Sequence, residues 1–424
     1  MLFCNIDLLD EEFQLNRGQF VGVKDSVIRY IGDTAPAEDF GERYDGRHRL
    51  LLPGFYNVHS HAPMTLLRGY AENLPLQRWL NEKVFPFEDK LSEESAYYGT
   101  QLAIAEMLAS GTVSFTDTYF FLDGMTKAIL ESGIKCNLSR GLTVFDDSDY
   151  EQTAAYRDNL RLLDEWHGMN GGRLLADLCI HGEYTSTPKV VEAVAAQAKA
   201  RGTRMHIHLS ETQAEHEECK QRHGMTPAAY MQARGVFDVP TTAAHCVWLE
   251  GEDFDILKAH GVTVACCPAS NLKLASGYAD VSKMLEMGIN VALGTDGAAS
   301  NNNLNIMQDL YLFAVAYKGY YHDSTLITPA QALYAATRAG ALSQGRADSG
   351  RLAVGCKADL CVINTDTPQF TPMTDAACNV VYAAQGADVR LTMVDGDVLY
   401  CDGEYRTIDI EKVKAEAQRH TDVI

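Results

Sequence analysis

Two short apolar runs in this 424-residue chain end in paired histidines, His59-Ser60-His61 and His206-Ile207-His208, and Glu211 follows the second pair. On a strand, residues i and i+2 share a face, about 6.6–6.8 Å apart along the chain. Two imidazoles so placed can converge on one ion with bonds of about 2.0–2.1 Å. Taken alone, a His-x-His is more often a pair of surface or core histidines. In the second pair one ligand is enough. His208 lies nearer the strand's end and is the candidate, which leaves His206 to support a ligand or fill the core. Asp296 lies in Gly294-Thr295-Asp296-Gly297, which alone reads as a turn. Another apolar run ends in His245. Together these residues point to one divalent ion that lowers the pKa of a water from about 15.7 to about 7. Four protein ligands and a water make such an ion five-coordinate. Imidazole with carboxylate suits Zn2+ first, and also Fe2+, Ni2+ or Mn2+.

The elements that must position these groups are readable between residues 53 and 349. Short apolar runs alternate there with helical patterns of ten or more residues, the signature of a parallel sheet with crossover helices. Eight runs qualify: LPGFYNVHSH, TVSFTDT, KCNLSRG, LLADLCIHG, RMHIHLSE, TTAAHCV, TVACCPAS and NVALGTDG. Eight strand–helix units predict an α/β fold, a (β/α)8 TIM-like barrel. In seven of the eight, ionisable residues gather at the C-terminal end: His59 and His61, Asp117, Arg140, His181, His208 with Glu211, His245, and Asp296. Those ends form one mouth, where the active sites of this fold lie. Packing alone does not explain the pattern, because an unpaired buried charge is costly.

Residues 1–52 and 350–424 read instead as short strands with Asp-Gly turns at Asp395-Gly396 and Asp402-Gly403. VVYAAQG is taken as one of these strands. A small β-sandwich domain built from both termini is expected. The formal net charge of -21 lacks the basic footprint of nucleic-acid or anionic-membrane binders. No apolar run is long enough to span a bilayer, and the acidic start does not fit a signal peptide. Eleven cysteines without CxxC spacing read as reduced thiols in a cytoplasmic protein. His181-Gly182-Glu183 and His216-Glu217-Glu218 match half of another zinc-deaminase signature, but no PCxxC follows either. HExxH is absent.

Across nearly its whole length the chain resembles the amidohydrolase superfamily, in the branch of 5-methylthioadenosine/S-adenosylhomocysteine deaminases and related chlorohydrolases. The motifs are LLPGFYNVHSHAPMTLLRG, LPLQRWLNEKVFPFEDKL, HIHLSET, AAHC, CCPASNLKL, GTDGAASNNNLN and GCKADLCVI. The resemblance implies that His59, His61, His208 and Asp296 hold the metal. It implies that Glu211 shuttles protons to the substrate ring and that His245 stands beside the water. Glu88 matches a carboxylate that holds ribose hydroxyls, and Arg140 and His181 match substrate-binding positions. Trp79 falls in the segment lining the base pocket, although packing on the barrel explains it equally well. Relatives are often homodimers or homotetramers. One departure stands out: Gly182-Glu183 follows His181 where the family has Pro or Ala, so Glu183 is expected to add a charge near the pocket.

The expected reaction is hydrolytic deamination of an adenosine-type nucleoside, with Asp296 accepting the water proton and Glu211 protonating a ring nitrogen. An enzyme of the same fold acting on guanine, oxidised guanine, a pterin or a triazine is the nearest alternative. Glu88 favours a nucleoside, because free bases carry no ribose. An inactive barrel serving as a binding subunit is a third reading, and the complete ligand set argues against it.

Overall fold

The computed structural model describes residues 1–146 and 148–422, with Leu76 and Gln77 described by backbone alone. The β-branched and aromatic residues of the first segment form β1 (Leu2–Leu9), β2 (Leu15–Lys24), β3 (Val27–Gly32), β4 (Arg43–Asp45) and β5 (Arg49–Pro53). The chain leaves this sheet at Gly54, where a Cβ would lie 2.2 Å from Val113 Cγ1. It then enters β6 (Phe55–Ser60), β7 (Thr112–Tyr119), β8 (Lys135–Arg140), β9 (Leu174–Ala176) and β10 (Leu178–Ile180). The series continues through β11 (Met205–Leu209), β12 (Thr241–His245), β13 (Thr263–Cys266) and β14 (Val291–Leu293). These strands are almost wholly buried, as a sheet covered on both faces must be.

The eight expected barrel strands are all present. The fourth is broken at Asp177 into β9 and β10, so the parallel strands form two sheets, β6–β9 and β10–β14. Buried Asp177 bridges the break: its N–H donates to Leu138 O at 3.0 Å, and its carboxylate accepts from Asn137 Nδ2. The ring closes between β14 and β6. Thr295 N–H donates to Asn57 Oδ1 at 3.0 Å, Asn57 Nδ2 to Thr295 Oγ1 at 2.7 Å, and Asp296 N–H to His59 O at 3.0 Å. Register brings the polar strand ends level, with Ser60 opposite Asp117, Tyr119 opposite Arg140 and Leu209 opposite His245.

β15 (Leu360–Asn364), β16 (Val389–Val394), β17 (Asp397–Cys401) and β18 (Glu404–Tyr405) return to the first segment. β15 pairs with β5, joining both ends of the chain in one nine-stranded sheet. At its far edge β3 bonds the approach to β15, through Ile28 N–H to Cys356 O and Ala358 N–H to Ser26 O. The sheet therefore folds over a core that includes Phe3, Ile28, Leu51, Val362 and Met393. VVYAAQG is not a strand. Val380–Tyr382 complete the helix Ala376–Tyr382, capped by Asp375, because burying Val380 and Val381 against the barrel outweighs β propensity. A further helix, Ile410–Asp422, packs on Glu93–Ala109 of the barrel.

Sheet and barrel are pinned by buried charges. Lys135 Nζ lies 2.6 Å from Asp359 and 2.7 Å from Asp395, and Tyr56 Oη donates to Asp359 at 3.0 Å.

Candidate metal centre

The barrel brings His59, His61, His208, His245 and Asp296 to its mouth. Asp296 Oδ1 lies 3.4 Å from His59 Nε2 and 3.3 Å from His61 Nε2, and His61 and His208 Nε2 atoms are 3.4 Å apart. Ligand atoms about 2.0–2.1 Å from one ion lie about 3–3.5 Å from each other. His59, His208 and His245 form a second overlapping triplet, whose ligand atoms lie within 4.8 Å of one another. His59 Nε2 is buried without a hydrogen-bond partner among the described residues. A cation would satisfy this atom, and the donor set suits one.

The outward nitrogens are all engaged. Nδ1 of His61 bonds Thr118 O at 2.7 Å, that of His208 bonds His181 O at 2.7 Å, and that of His245 bonds Asn271 Oδ1 at 2.9 Å. An oxygen acceptor there puts the proton on Nδ1 and turns the Nε2 lone pair inward. His59 Nδ1 meets His206 Nε2 at 2.8 Å, so His206 supports a candidate ligand. Asp296 Oδ2 accepts from Ser270 Oγ at 2.6 Å and Ser300 Oγ at 2.8 Å.

Burial holds the His59 and His181 imidazoles down to about 4 and keeps His206 and His208 well below the usual range. These rings are neutral at pH 7, as metal binding requires. Burial opposes ionisation of Asp296, but His59 and His61 prevail and hold its carboxyl well below the usual value. Burial also opposes charging of His61, yet Asp296 pushes it up to about 9. The field that draws a proton to His61 also draws a cation, and the two compete.

Around the cluster, Glu211 Oε2 lies 3.9 Å from His245 Nε2, and burial raises the Glu211 carboxyl pKa. Glu88 is buried and accepts from Tyr119 Oη at 2.6 Å, and the Tyr119 ring is 6.4 Å from that of His61. The His181 ring is 4.7 Å from that of His208. Arg140 lies over Phe120 at 4.7 Å with Nε 3.2 Å from Asp158 Oδ2, so its partner here is a neighbouring acid. Trp79 is buried in the same hydrophobic cluster as Tyr119, and its Nε1 donates to Ala71 O at 3.1 Å.

Glu183 does not add a charge to the pocket. Its buried carboxylate turns outward to Arg222 at 2.5 Å and His223 at 2.8 Å, on the helix Gln213–His223. Desolvation forces a buried acid onto a cation within reach.

Sequence reasoning placed Asp117 at the barrel mouth without giving it a task, and it missed Asp309 and Glu215; all three hold the ligand loops. Asp117 accepts from Ser60 Oγ at 2.8 Å and Ala62 N at 2.7 Å, fixing the turn after His59. Asp309 accepts from Ala269 N and Asn301 Nδ2, tying the loops after β13 and β14. Glu215 accepts from Ser210 and Glu211 N–H groups. Of the two missed acids only Glu215 carries a legible signal, the capping pattern Thr212-x-x-Glu215. Ser210, His245, Cys246 and Asp296 all have positive φ, so backbone strain gathers at the site. Gly294 allows β14 to approach β6, since a Cβ there would lie 2.8 Å from His59 Cβ.

A parallel barrel with an imidazole–carboxylate cluster at its mouth defines a class of metal-dependent hydrolases. The amidohydrolase family model matches residues 50–399, and the chain belongs to that family. A 5-methylthioadenosine/S-adenosylhomocysteine deaminase of Moorella thermoacetica is 41% identical, covering 94% of each chain. A 5'-deoxyadenosine deaminase of Methanothermobacter thermautotrophicus is 39% identical over 95% of this chain and 94% of its own. An adenosine deaminase from Xanthomonas campestris, crystallised with zinc, superposes with a TM-score of 0.93 at 29% identity, covering 100% of this chain and 98% of its own. Among the described residues no helix is long and apolar enough to cross a membrane.

Proposed function

We propose that this chain is a metal-dependent deaminase of adenosine-type nucleosides: 5'-methylthioadenosine, S-adenosylhomocysteine, 5'-deoxyadenosine or adenosine. Ammonia and the inosine analogue are the products. The observation that carries the reading is the cluster of Nε2 atoms around Asp296 Oδ1, with Glu211 and His245 beside it. Names of relatives at about 40% identity agree with it.

His59, His61, His208 and Asp296 would hold one divalent ion, and the bound zinc of the Xanthomonas enzyme favours Zn2+. When bound, the ion supplies a water acidic enough to attack at neutral pH. His245 orients that water through Nε2, its Nδ1 being fixed by Asn271. Asp296 accepts the water proton. Glu211, whose carboxyl pKa is raised by burial, gives a proton to a ring nitrogen and makes the neighbouring carbon electrophilic. The water oxygen would bond that carbon, the C–N bond would break, the amine would leave as ammonia with the proton from Asp296, and the hydroxyl proton left on the oxygen would return to Glu211 as the carbonyl forms. His181 faces the base, and Glu88 accepts from the ribose hydroxyls.

An ammonia-release screen on zinc-loaded protein tests this. Release from the four nucleosides, and none from guanine or a pterin, is expected. Preferred release from a free base would refute the substrate class, and release from none would refute the activity. A second expectation concerns pH. Burial raises the Glu88 carboxyl to about 7, with the Tyr119 hydroxyl opposing. The ionised form accepts hydroxyl protons, so the nucleoside KM should rise as pH falls below about 7, by up to about tenfold per pH unit. E88Q should raise KM and flatten this limb. A KM that does not change between pH 5.5 and 8 would remove Glu88 from ribose binding.

A further inference from the structure

Glu215 is a buried acid that the reaction outlined above leaves without a task. It lies in the first turn of the helix Gln213–His223, four residues after Glu211. Its Oε1 accepts the Ser210 N–H at 2.9 Å and its Oε2 the Glu211 N–H at 2.7 Å. An ordinary capping box would return the acid to the Thr212 N–H. Here Thr212 caps the Glu215 N–H at 3.2 Å, while the Glu215 carboxylate reaches two residues further back, into the turn between strand and helix. Bonds to an ionised acceptor are short and about twice as strong as neutral ones.

That turn needs holding. Ser210 has φ of 48°, in the left-handed region that disfavours side chains. Its carbonyl accepts the Val247 and Trp248 N–H groups, each at 3.0 Å, and its hydroxyl lies 3.2 Å from His216 Nδ1. Contacts from the helix and from the loop after β12 therefore converge on one residue. Immediately beyond it the Glu211 side chain turns inward, 3.9 Å from His245 Nε2. Burial, with the Glu211 charge adding to it, lifts the Glu215 carboxyl to about 7 against its two N–H bonds. Two buried acids this close work against stability, so helix capping alone is a poor account of Glu215.

We propose that Glu215 is a positioning residue for the proton carrier, gripping the Ser210 and Glu211 amides so that the left-handed turn aims Glu211 into the metal centre. This rests on the reading of Glu211 as that carrier. E215Q sets an amide N–H2 against one of the two backbone donors. E215D keeps the charge but withdraws it by one methylene. With zinc content measured, both should lower kcat per bound metal about 10²-fold, while KM changes less than about threefold. In the E211Q background, E215Q should cost less than about a further twofold, because it acts through the residue already lost. Variants that lose only thermal stability or metal, with kcat per bound metal intact, would overturn the proposal. So would losses that multiply in the double variant. Near-normal turnover in E211Q would refute the carrier itself, and the proposal with it. A crippled E211Q beside an unimpaired E215Q would refute the positioning role alone.

Discussion

E211Q is expected to lower kcat about 10²–10⁴-fold, the usual contribution of a positioned acid or base. Zinc content and KM should stay near their normal values. The substitution is nearly isosteric and removes only the transferable proton. Glu211 lies outside the cluster of candidate metal ligands, 3.9 Å from His245, so the ion loses no donor. Burial favours the protonated carboxyl, which is the form a general acid needs at the start of turnover. Steady-state kinetics beside metal analysis would separate the outcomes. Turnover within a few-fold of normal would mean that another group moves the proton.

K135M is expected to destabilise the fold by about 3–5 kcal/mol, the range for removing one partner of a buried ion pair. Lys135 and Asp359 are 3% and 0% exposed, so water cannot replace the missing cation. Asp395 keeps Arg173 at 3.3 Å, but among the described residues Asp359 keeps only the Tyr56 hydroxyl and the Asp395 N–H. Burial raises the Asp359 carboxyl, but Lys135 outweighs it and holds the pKa below its usual value. A depressed pKa contributes stability above the unfolded value of about 3.9 and loses it as pH falls through the folded value. The gap between native and K135M should therefore be largest near pH 7 and shrink below about pH 4. Denaturant unfolding at both pH values would check it. A loss under about 1 kcal/mol at pH 7 would show that the pair contributes little. Adding D359N should recover part of the loss, since it removes the orphaned charge.

Much of this molecule was legible because buried parallel strands are written as apolar runs, and because the barrel puts its chemistry at their C-terminal ends. His59, His61, His208 and Asp296 stood out in that way, far apart in sequence yet each at a strand tip. What stayed hidden depends on partners distant along the chain. Glu183 reads as a free charge until Arg222 and His223 fold against it. Asp309 reads as an ordinary helix acid until Asn301 and the Ala269 amide meet it. Val380 and Val381 favour a strand locally, and burial against the barrel makes them helical. The Asp375 cap before them was the available clue, since its carboxylate accepts the Cys378 N–H at 2.9 Å.

The pairing of β15 with β5 has a consequence for biosynthesis. Cys361 Sγ reaches the carbonyl of Pro53, 308 residues earlier. Emerging from the ribosome at about 5–20 residues per second, β5 waits about 15–60 s for its neighbour. During that interval the nascent chain carries an open, apolar strand edge able to pair with other chains. Slow translation or crowding of nascent chains should therefore penalise the yield of this protein more than that of a barrel whose flanking sheet is contiguous in sequence.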